Sequence, residues 1–418
     1  MNGIPRGAVF LCHYLESYIL VSKPSLNAPC SCGSQKKFKH CCFLRKGKSK
    51  LDIEKNIRHA WDFFNRGFLD ESLKLCESVL KVDSQQRESI YLSGLIFLKD
   101  GQVKKAIDYL IKANILFPKH FEVLTNLGFA YHEAGKVDLA KLHYLEAISI
   151  HPQYINAYYN LHGLYLDESN FDQAKYCLEK IISINDADLD AIFMLGLLHE
   201  YQEDEISAKP YFEKIKKSTS LLLARLEAWQ YLKKEFKKKP IVTGSIIQTF
   251  QIAMDASKKE GLILEFGVRH GNSINQLAKL TNSPVYGFDS FEGLPMEWHN
   301  ESKDSYSTKG IIPDVEKHVT LYKGWFEDTL PEFSTKHSKP IRLINIDCDL
   351  YSSTSTILKV LGPQIQSGTV LIFDEYIGNQ HWKEDEFKAF QEAVYLNQWD
   401  YEYLAFSFFT KQVVLKII

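Results

Sequence analysis

A repeat of 34 residues is the feature that most constrains what this chain can fold into. Gly94, Gly128 and Gly196 fall in one column at that interval, and His162 stands where a fourth glycine would fall. A second column holds only alanine: Ala106, Ala140, Ala174 and Ala208. Units of this length bury their apolar faces only by stacking on their neighbours. The period therefore predicts a solenoid of stacked helices over this part of the chain.

The copy that starts at Leu124 continues through Gly128, Tyr131 and Ala140 to Pro152. This pattern resembles the tetratricopeptide repeat, in which two antiparallel helices meet at small residues because their backbones approach closely. The resemblance covers about residues 53–222, roughly five copies. His162 departs from it, which predicts a local distortion or a shift of the small position to the next glycine. The groove of such an array is expected to bind a protein partner, and self-association of the chain is the alternative.

Four of the eight cysteines cluster near the N-terminus, at Cys30, Cys32, Cys41 and Cys42. Two close pairs of thiolates suit one tetrahedral zinc ion, with His40 as an alternative ligand and disulfide pairing as the alternative chemistry. The segment resembles the SEC-C motif, which implies that the four cysteines form the ligand set. A closed set of four ligands implies a structural zinc. Such clustering also indicates a reducing compartment, and we expect a cytoplasmic protein.

After Ile241 the repeat pattern gives way to short apolar runs separated by helical patterns. The runs are Leu262–Phe266, Val285–Phe288, Thr320–Tyr322, Arg342–Ile346 and Val370–Phe373. Strands that alternate with helices predict a parallel sheet with crossover connections. Two further runs, Tyr401–Phe409 and Gln412–Ile417, predict an antiparallel edge.

These patterns predict a multidomain fold class: a small zinc motif, an all-α tetratricopeptide solenoid and an α/β Rossmann-like domain. The expected boundaries are an N-terminal segment at 1–28, the zinc motif at 29–50, the repeats at 51–239 and the α/β domain at 240–418. A net charge of −2 provides no general attraction to nucleic acid, and we expect no such partner. No apolar run is long enough to suggest a membrane span.

The first strand of the α/β domain leads into a glycine-bearing turn that indicates a cofactor site. Gly267 and Gly271 would let the backbone lie against a ligand at the carboxyl edge of the sheet. The next strand ends at Asp289, whose carboxylate can accept hydrogen bonds from ribose hydroxyls. The glycine spacing differs from the dinucleotide pattern, which disfavours a nicotinamide-dependent oxidoreductase. A nucleoside cofactor without a pyrophosphate, S-adenosylmethionine, fits these residues.

Acidic residues also follow two later strands, at Asp347 and at the pair Asp374 and Glu375. The carboxyl ends of adjacent parallel strands share one rim of the sheet, so these side chains are expected to converge. Neighbouring buried carboxylates repel one another unless a cation or a proton lies between them. Oxygen ligands of this kind suit Mg²⁺ or Mn²⁺. The alternative is that they cap helices or pair with Arg342.

Three blocks in this region, residues 289–295, 346–354 and 373–376, resemble the macrocin O-methyltransferase family. The resemblance implies a class I S-adenosylmethionine-dependent methyltransferase that needs Mg²⁺ and methylates a hydroxyl of a sugar or natural product. It implies Asp347, Asp374 and Glu375 as metal ligands, although the family often has aspartate where this chain has Glu375. The residues expected at the cofactor are Glu265, Gly267, Gly271, Asp289 and Ser290.

The candidate catalytic residues are Asp347, Asp349 and His381, with the general base left open between the last two. Trp298 and His299 fall where a substrate lid is expected. The leading hypothesis is a metal-dependent O-methyltransferase whose acceptor is a small molecule or glycan and whose repeats recruit a partner or substrate. The competing hypothesis is a non-catalytic adaptor with a degenerate methyltransferase domain.

Overall fold

The computed structural model describes residues 42–418, which form two compact units that divide between Leu127 and Gly128. Three of the predicted zinc ligands, Cys30, Cys32 and Cys41, lie outside the described residues. Of Cys42, only the backbone is described.

The first unit consists of paired helices joined by short turns. Its helices are α1 (Cys42–Asn65), α2 (Leu69–Val82), α3 (Arg87–Lys99), α4 (Val103–Leu116) and the start of α5 (Phe121–Glu133). Gly94 of α3 faces α4 so closely that a Cβ there would lie 2.9 Å from Leu110 Cγ. Ala106, from the alanine column, is fully buried. The small residues therefore mark the helix crossing, as the repeat predicts.

The second unit continues the same pattern from the end of α5. Its further helices are α6 (Val137–Ile150), α7 (Ile155–Asp167), α8 (Phe171–Ile184), α9 (Leu189–Tyr201), α10 (Glu205–Ile215) and α11 (Ser220–Glu235). A Cβ on Gly128 would lie 2.7 Å from Tyr144 Cε1, and one on Gly196 would lie 3.0 Å from Phe212 Cε1. The helical solenoid is confirmed.

The departure at His162 does not interrupt its helix, because α7 runs unbroken from Ile155 to Asp167. The imidazole is buried, with its ring centroid 5.5 Å from that of Phe409 in the α/β part of the unit. The adjacent Gly163 is a point of close approach between the two parts. A Cβ added to Gly244 would lie 1.8 Å from the Gly163 carbonyl oxygen, so the two backbones are in direct contact.

The α/β part is built on one sheet of eight strands in the order β1-β7-β8-β6-β5-β2-β3-β4. The strands are β1 (Ile241–Val242), β2 (Leu262–Phe266), β3 (Val285–Asp289), β4 (Val319–Lys323), β5 (Ile341–Ile346), β6 (Val370–Phe373), β7 (Tyr401–Phe406) and β8 (Val413–Ile417). All neighbours are parallel except β8, which runs antiparallel to β6 and β7. The seven strands expected from the sequence are confirmed. Strands β7 and β8 do not form the edge of the sheet as expected, because β1 pairs in parallel with β7 and lies outside it. With two residues, β1 is too short to show as an apolar pattern in the sequence.

Five helices accompany the sheet: α12 (Ile246–Ala256), α13 (Asn272–Lys279), α14 (Phe326–Lys336), α15 (Tyr351–Leu361) and α16 (Glu386–Asn397). Successive residues of β2 point to opposite faces and all are buried, as expected for a parallel strand covered on both sides. Leu264 and Phe266 join a core that also includes the repeat helices from Ala140 onward. Ile263 joins a second core with α12 and α13.

Within residues 42–418, no helix combines the length and the apolar character needed to cross a membrane.

Candidate functional site

The candidate site lies where the strand order of the sheet reverses. Strand β2 has β3 on one side and β5 on the other, and ligands of open α/β sheets bind at the carboxyl ends of strands around such a point. Gly267 follows β2 at φ +93°, and a Cβ there would lie 1.7 Å from the carbonyl oxygen of Asp347, which follows β5. The two loops are in backbone contact, and only glycine fits at position 267.

A pocket of about 430 Å³ opens at this edge of the sheet. Its lining includes Trp325 and Phe326, which follow β4, and Asp347 and Asp374, which follow β5 and β6. Four inter-strand spacings separate β4 from β6 in the sheet, roughly 19 Å. The aromatic and the acidic parts of the lining therefore lie on opposite sides of the pocket.

Three of the five residues expected at the cofactor line this pocket: Gly267, Asp289 and Ser290. Both carboxylate oxygens of Asp289 accept backbone N–H groups, from Arg269 at 2.7 Å and from Phe291 at 2.6 Å. These bonds orient the carboxylate at the pocket wall and leave lone pairs for a ligand, since each oxygen can accept more than one hydrogen bond.

Glu265 and Gly271 are not among the residues that line the pocket. Glu265 is fully buried beneath the turn, where it accepts hydrogen bonds from Ser273 Oγ at 2.8 Å and Asn345 Nδ2 at 3.2 Å. Burial raises the pKa of Glu265 to about 8 in spite of these bonds. Gly271 caps α13 in a left-handed conformation, with φ +77°. Glu265 therefore holds the turn from beneath through its hydrogen bonds, and Gly271 begins the helix that follows the turn.

Asp347, Asp349 and Asp374 share the acidic part of the lining. Burial, and next the charge of Asp374, hold the pKa of Asp347 well above its ordinary value. Burial, and next the charge of Glu375, raise the pKa of Asp349 and of Asp374. The carboxylates therefore disfavour one another's ionised forms, and a cation among them would relieve this repulsion.

Glu375 also lines the pocket, but its carboxylate is already engaged. Lys411 Nζ lies 2.7 Å from its Oε1, and both side chains are largely buried. Asn379 Nδ2 donates to Oε2 at 3.4 Å. The backbone N–H of Glu375 donates to Glu386, a fully buried carboxylate whose pKa is raised by burial and by the charge of Asp374.

His381 lies outside the lining of this pocket. Its imidazole stacks on that of His299, with 4.1 Å between the ring centroids. Its Nδ1 lies 3.4 Å from Glu384 Oε2. Of the two residues considered for the general base, Asp349 is therefore the one at the pocket.

The sequence reasoning missed residues that reach the site from other elements. Lys411 comes from the β7–β8 turn, and Trp325 and Phe326 come from the start of α14. The repeat helix α5 contributes His132 and Glu133 to a recess of about 120 Å³ that Asp374 and Glu375 also line. Burial, and next the charge of Asp374, raise the pKa of Glu133 to about 7. Nothing in a helical repeat pattern distinguishes these two residues, since only the tertiary fold brings them to the sheet.

Family models match three segments of the chain. A methyltransferase domain matches residues 264–376, a SEC-C motif matches residues 27–44, and a tetratricopeptide repeat matches residues 121–154. The chain therefore carries a methyltransferase domain together with tetratricopeptide repeats and a SEC-C motif, which confirms the three resemblances at this level.

A curated relative is the 8-demethyl-8-(2,3-dimethoxy-alpha-L-rhamnosyl)-tetracenomycin-C 4'-O-methyltransferase of Streptomyces olivaceus. It is 33% identical over 144 residues, which cover 28% of this chain and 53% of the relative. The chain thus spans about half the length of the curated relative that it matches.

Two solved structures are similar to parts of the chain. The crystal structure of MamA covers 37% of this chain and 91% of its own, at 27% identity and a TM-score of 0.34. The calicheamicin methyltransferase CalS11 covers 51% of this chain and 92% of its own, at 19% identity and a TM-score of 0.33. At these TM-scores, neither likeness bears on the chemistry of the site.

Proposed function

We propose that the α/β domain is a class I S-adenosylmethionine-dependent O-methyltransferase that acts, with a divalent metal ion, on a hydroxyl of a sugar or natural-product-like acceptor. The observation that carries the proposal is the pocket at the reversal of strand order, which combines a close glycine turn, a ribose-type carboxylate and a group of acidic residues. The O-methyltransferase relative, whose name specifies a rhamnosyl compound, supports an oxygen acceptor on a sugar.

The residues present fit S-adenosylmethionine. Gly267 has no side chain, so its backbone can contact a ligand directly at the pocket wall. Asp289 presents an oriented carboxylate to ribose hydroxyls. Trp325 and Phe326 offer apolar contact to an adenine ring on the far side from the acidic residues. The cofactor would supply an electrophilic methyl group there. This assignment needs no pyrophosphate site, in agreement with the glycine spacing.

The acidic residues fit a hard divalent cation such as Mg²⁺ or Mn²⁺. Asp347 and Asp374 would hold it, because both are buried carboxylates whose pKa values are raised partly by neighbouring acidic groups. Glu375 would join them only if its carboxylate leaves Lys411 or binds with its second oxygen. A bound divalent ion lowers the pKa of a coordinated hydroxyl.

Asp349 is the residue that we propose as the general base. Its backbone is held in the left-handed region at φ +62°, and its side chain lines the pocket beside Asp347. A positioned carboxylate can take the proton that the acceptor hydroxyl loses. His381 would serve only if the surrounding loops rearranged, because it lies outside the pocket lining.

The experiment is calorimetric titration of the full chain with S-adenosylmethionine, with and without Mg²⁺, followed by methyl transfer from labelled cofactor to glycan fractions. Asp349→Asn is expected to retain cofactor binding and lose transfer, whereas Trp325→Ala is expected to lose cofactor affinity. If the wild type binds no cofactor under either condition, the enzyme proposal fails and the adaptor hypothesis takes its place.

We further propose that the repeats recruit a partner or the substrate, and that the SEC-C motif holds a structural zinc ion through Cys30, Cys32, Cys41 and Cys42. The motif match at residues 27–44 supports the zinc, and the repeat match supports a binding role for the helical array.

A further inference from the structure

Two loops that flank the pocket carry three side chains with metal-binding atoms. His299 lies in the lid loop, residues 290–318 between β3 and β4, and His381 and Glu384 lie in the clasp loop, residues 374–385 between β6 and α16. One ligand atom from each of the three lies within 4.8 Å of the other two. The loops are far apart in the chain, so the tertiary fold alone brings His299 to His381 and Glu384.

The separation of two of these atoms, on His381 and Glu384, suits a tetrahedral ion. His381 Nδ1 and Glu384 Oε2 are 3.4 Å apart, which is long for a hydrogen bond. Two ligands on a tetrahedral zinc ion, each about 2.0–2.1 Å from the metal, are separated by about 3.3 Å. The observed separation is close to this value, and the two imidazoles, which stack in nearly parallel planes, would turn out of that stack to direct both lone pairs at one ion.

The third ligand is oriented by a carboxylate behind it. His299 Nε2 lies 2.7 Å from Asp385 Oδ2, and the indole N–H of Trp298 donates to the same oxygen at 3.0 Å. Because a carboxylate only accepts, Nε2 of His299 carries the proton, which leaves the lone pair of Nδ1 available to an ion. A histidine held by a carboxylate through its other nitrogen is the common arrangement at protein metal sites. Asp385 is buried, whereas His381 and Glu384 are exposed enough to admit an ion from solvent.

We propose that His299, His381 and Glu384 form a zinc site, with Asp385 as the orienting carboxylate, that fastens the lid loop to the clasp loop. Two imidazoles and one carboxylate suit Zn²⁺ and leave a fourth position for water. The lid loop also contributes Leu294 and Met296 to the pocket lining. Zinc binding therefore restrains the wall through which an acceptor enters, a consequence that rests on the proposed methyltransferase function; the metal site itself does not.

The test is a zinc titration of the chelator-washed full chain, with Mg²⁺ in excess and neither cofactor nor acceptor present. The wild type is expected to bind one equivalent of Zn²⁺ more than His299→Ala or His381→Ala. His59→Ala, a substitution at an exposed histidine of α1, is the matched control and should retain the wild-type stoichiometry. Equal stoichiometry in the wild type and both cluster variants would overturn the proposal.

Three further measurements separate this site from the cysteine motif and test the orienting carboxylate and the clasp. When Co²⁺ replaces Zn²⁺, the equivalent that the wild type binds beyond the cluster variants is expected to show no thiolate-to-cobalt charge-transfer band. Such a band from this equivalent would refute the proposed ligands. Asp385→Asn is expected to weaken zinc binding about 10–100-fold, and an unchanged affinity would contradict the orienting role. Zinc should slow hydrogen exchange around His299 in the wild type but not in His381→Ala. No slowing in the wild type would overturn the clasp, independently of whether the domain binds S-adenosylmethionine.

Discussion

Replacing Gly267 with alanine tests the contact that forms the floor of the candidate site. The substitution introduces two separable penalties. At φ +93°, an L side chain is strained whatever space surrounds it. The added Cβ would also lie 1.7 Å from the Asp347 carbonyl oxygen, a distance that no real contact allows.

The magnitude follows from these two terms. Strain from a left-handed conformation costs about 1–2 kcal/mol. Real Cβ contacts are not shorter than 3.0 Å, so the loop after β5 would have to withdraw by 3.0 − 1.7 = 1.3 Å. Overpacking of a well-packed site typically costs about 1–3 kcal/mol. The expected loss in free energy of unfolding is therefore roughly 2–5 kcal/mol, together with loss of cofactor binding, because Asp347 moves with its loop.

Gly67→Ala is the matched control, because Gly67 has φ +87° and no atom lies within 4 Å of its added Cβ. It carries the strain without the clash and should lose only about 1–2 kcal/mol. Urea unfolding followed by tryptophan fluorescence measures both variants, and calorimetry measures S-adenosylmethionine binding. If Gly267→Ala loses no more stability than Gly67→Ala and binds the cofactor normally, the reasoning about this contact is wrong.

Three further predictions concern protonation, the acidic group and the zinc motif. Burial lowers the pKa of His132 from 6.5 to about 4, so the native state binds fewer protons than the unfolded state between these values. The free energy of unfolding should fall by about 3 kcal/mol from this residue as pH drops from 6.5 to 4, and His132→Leu should flatten that slope in urea unfolding at several pH values. Lys411→Met leaves Glu375 buried without its cation and should destabilise the protein by about 3–5 kcal/mol, with thermal unfolding in Mg²⁺ recovering part of the loss. Cys32→Ser should remove the structural zinc measured by elemental analysis, whereas Cys12→Ser should not.

Each of these predictions has an outcome that contradicts it. An unchanged pH slope in His132→Leu would mean that the imidazole reaches solvent or a proton acceptor in the native state. A Lys411→Met variant that Mg²⁺ does not stabilise would argue against a metal ion beside Glu375. Full zinc content in Cys32→Ser would argue against the proposed ligand set. The double variant Cys32→Ser with His299→Ala removes any zinc bound at the His299 cluster from this measurement.

The repeat period and the strand patterns could be read from the sequence because they arise from local physics. A helix crossing needs small residues at the same place in every copy, so Gly94, Gly128 and Gly196 recur at a constant interval. A buried parallel strand needs a largely apolar run, so β2, β5 and β6 stand out. Strand β1 escaped notice because two residues are too few to form such a pattern.

Only part of the candidate site could be predicted from the sequence, because local patterns reveal only the residues that directly follow strands. Asp289, Asp347 and Asp374 were found because they directly follow strands, whose carboxyl ends must share a rim. The placement of Glu265 beneath the turn, and not at the pocket, depends on the direction in which one side chain of β2 points. The pairing of Glu375 with Lys411 depends on a turn that comes 36 residues later.

The sequence by itself determined the helical solenoid, the strands of the sheet and the acidic residues at strand ends, since each follows from periodicity along the chain. Only the tertiary structure decided that Gly163 meets Gly244, that α5 brings Glu133 to the recess beside Asp374, and that His299 stacks on His381. Those contacts join residues that are far apart in the chain at no regular interval, so no sequence pattern marks them. They form because the repeat helices and the sheet pack on a shared core, which brings distant loops and helices together.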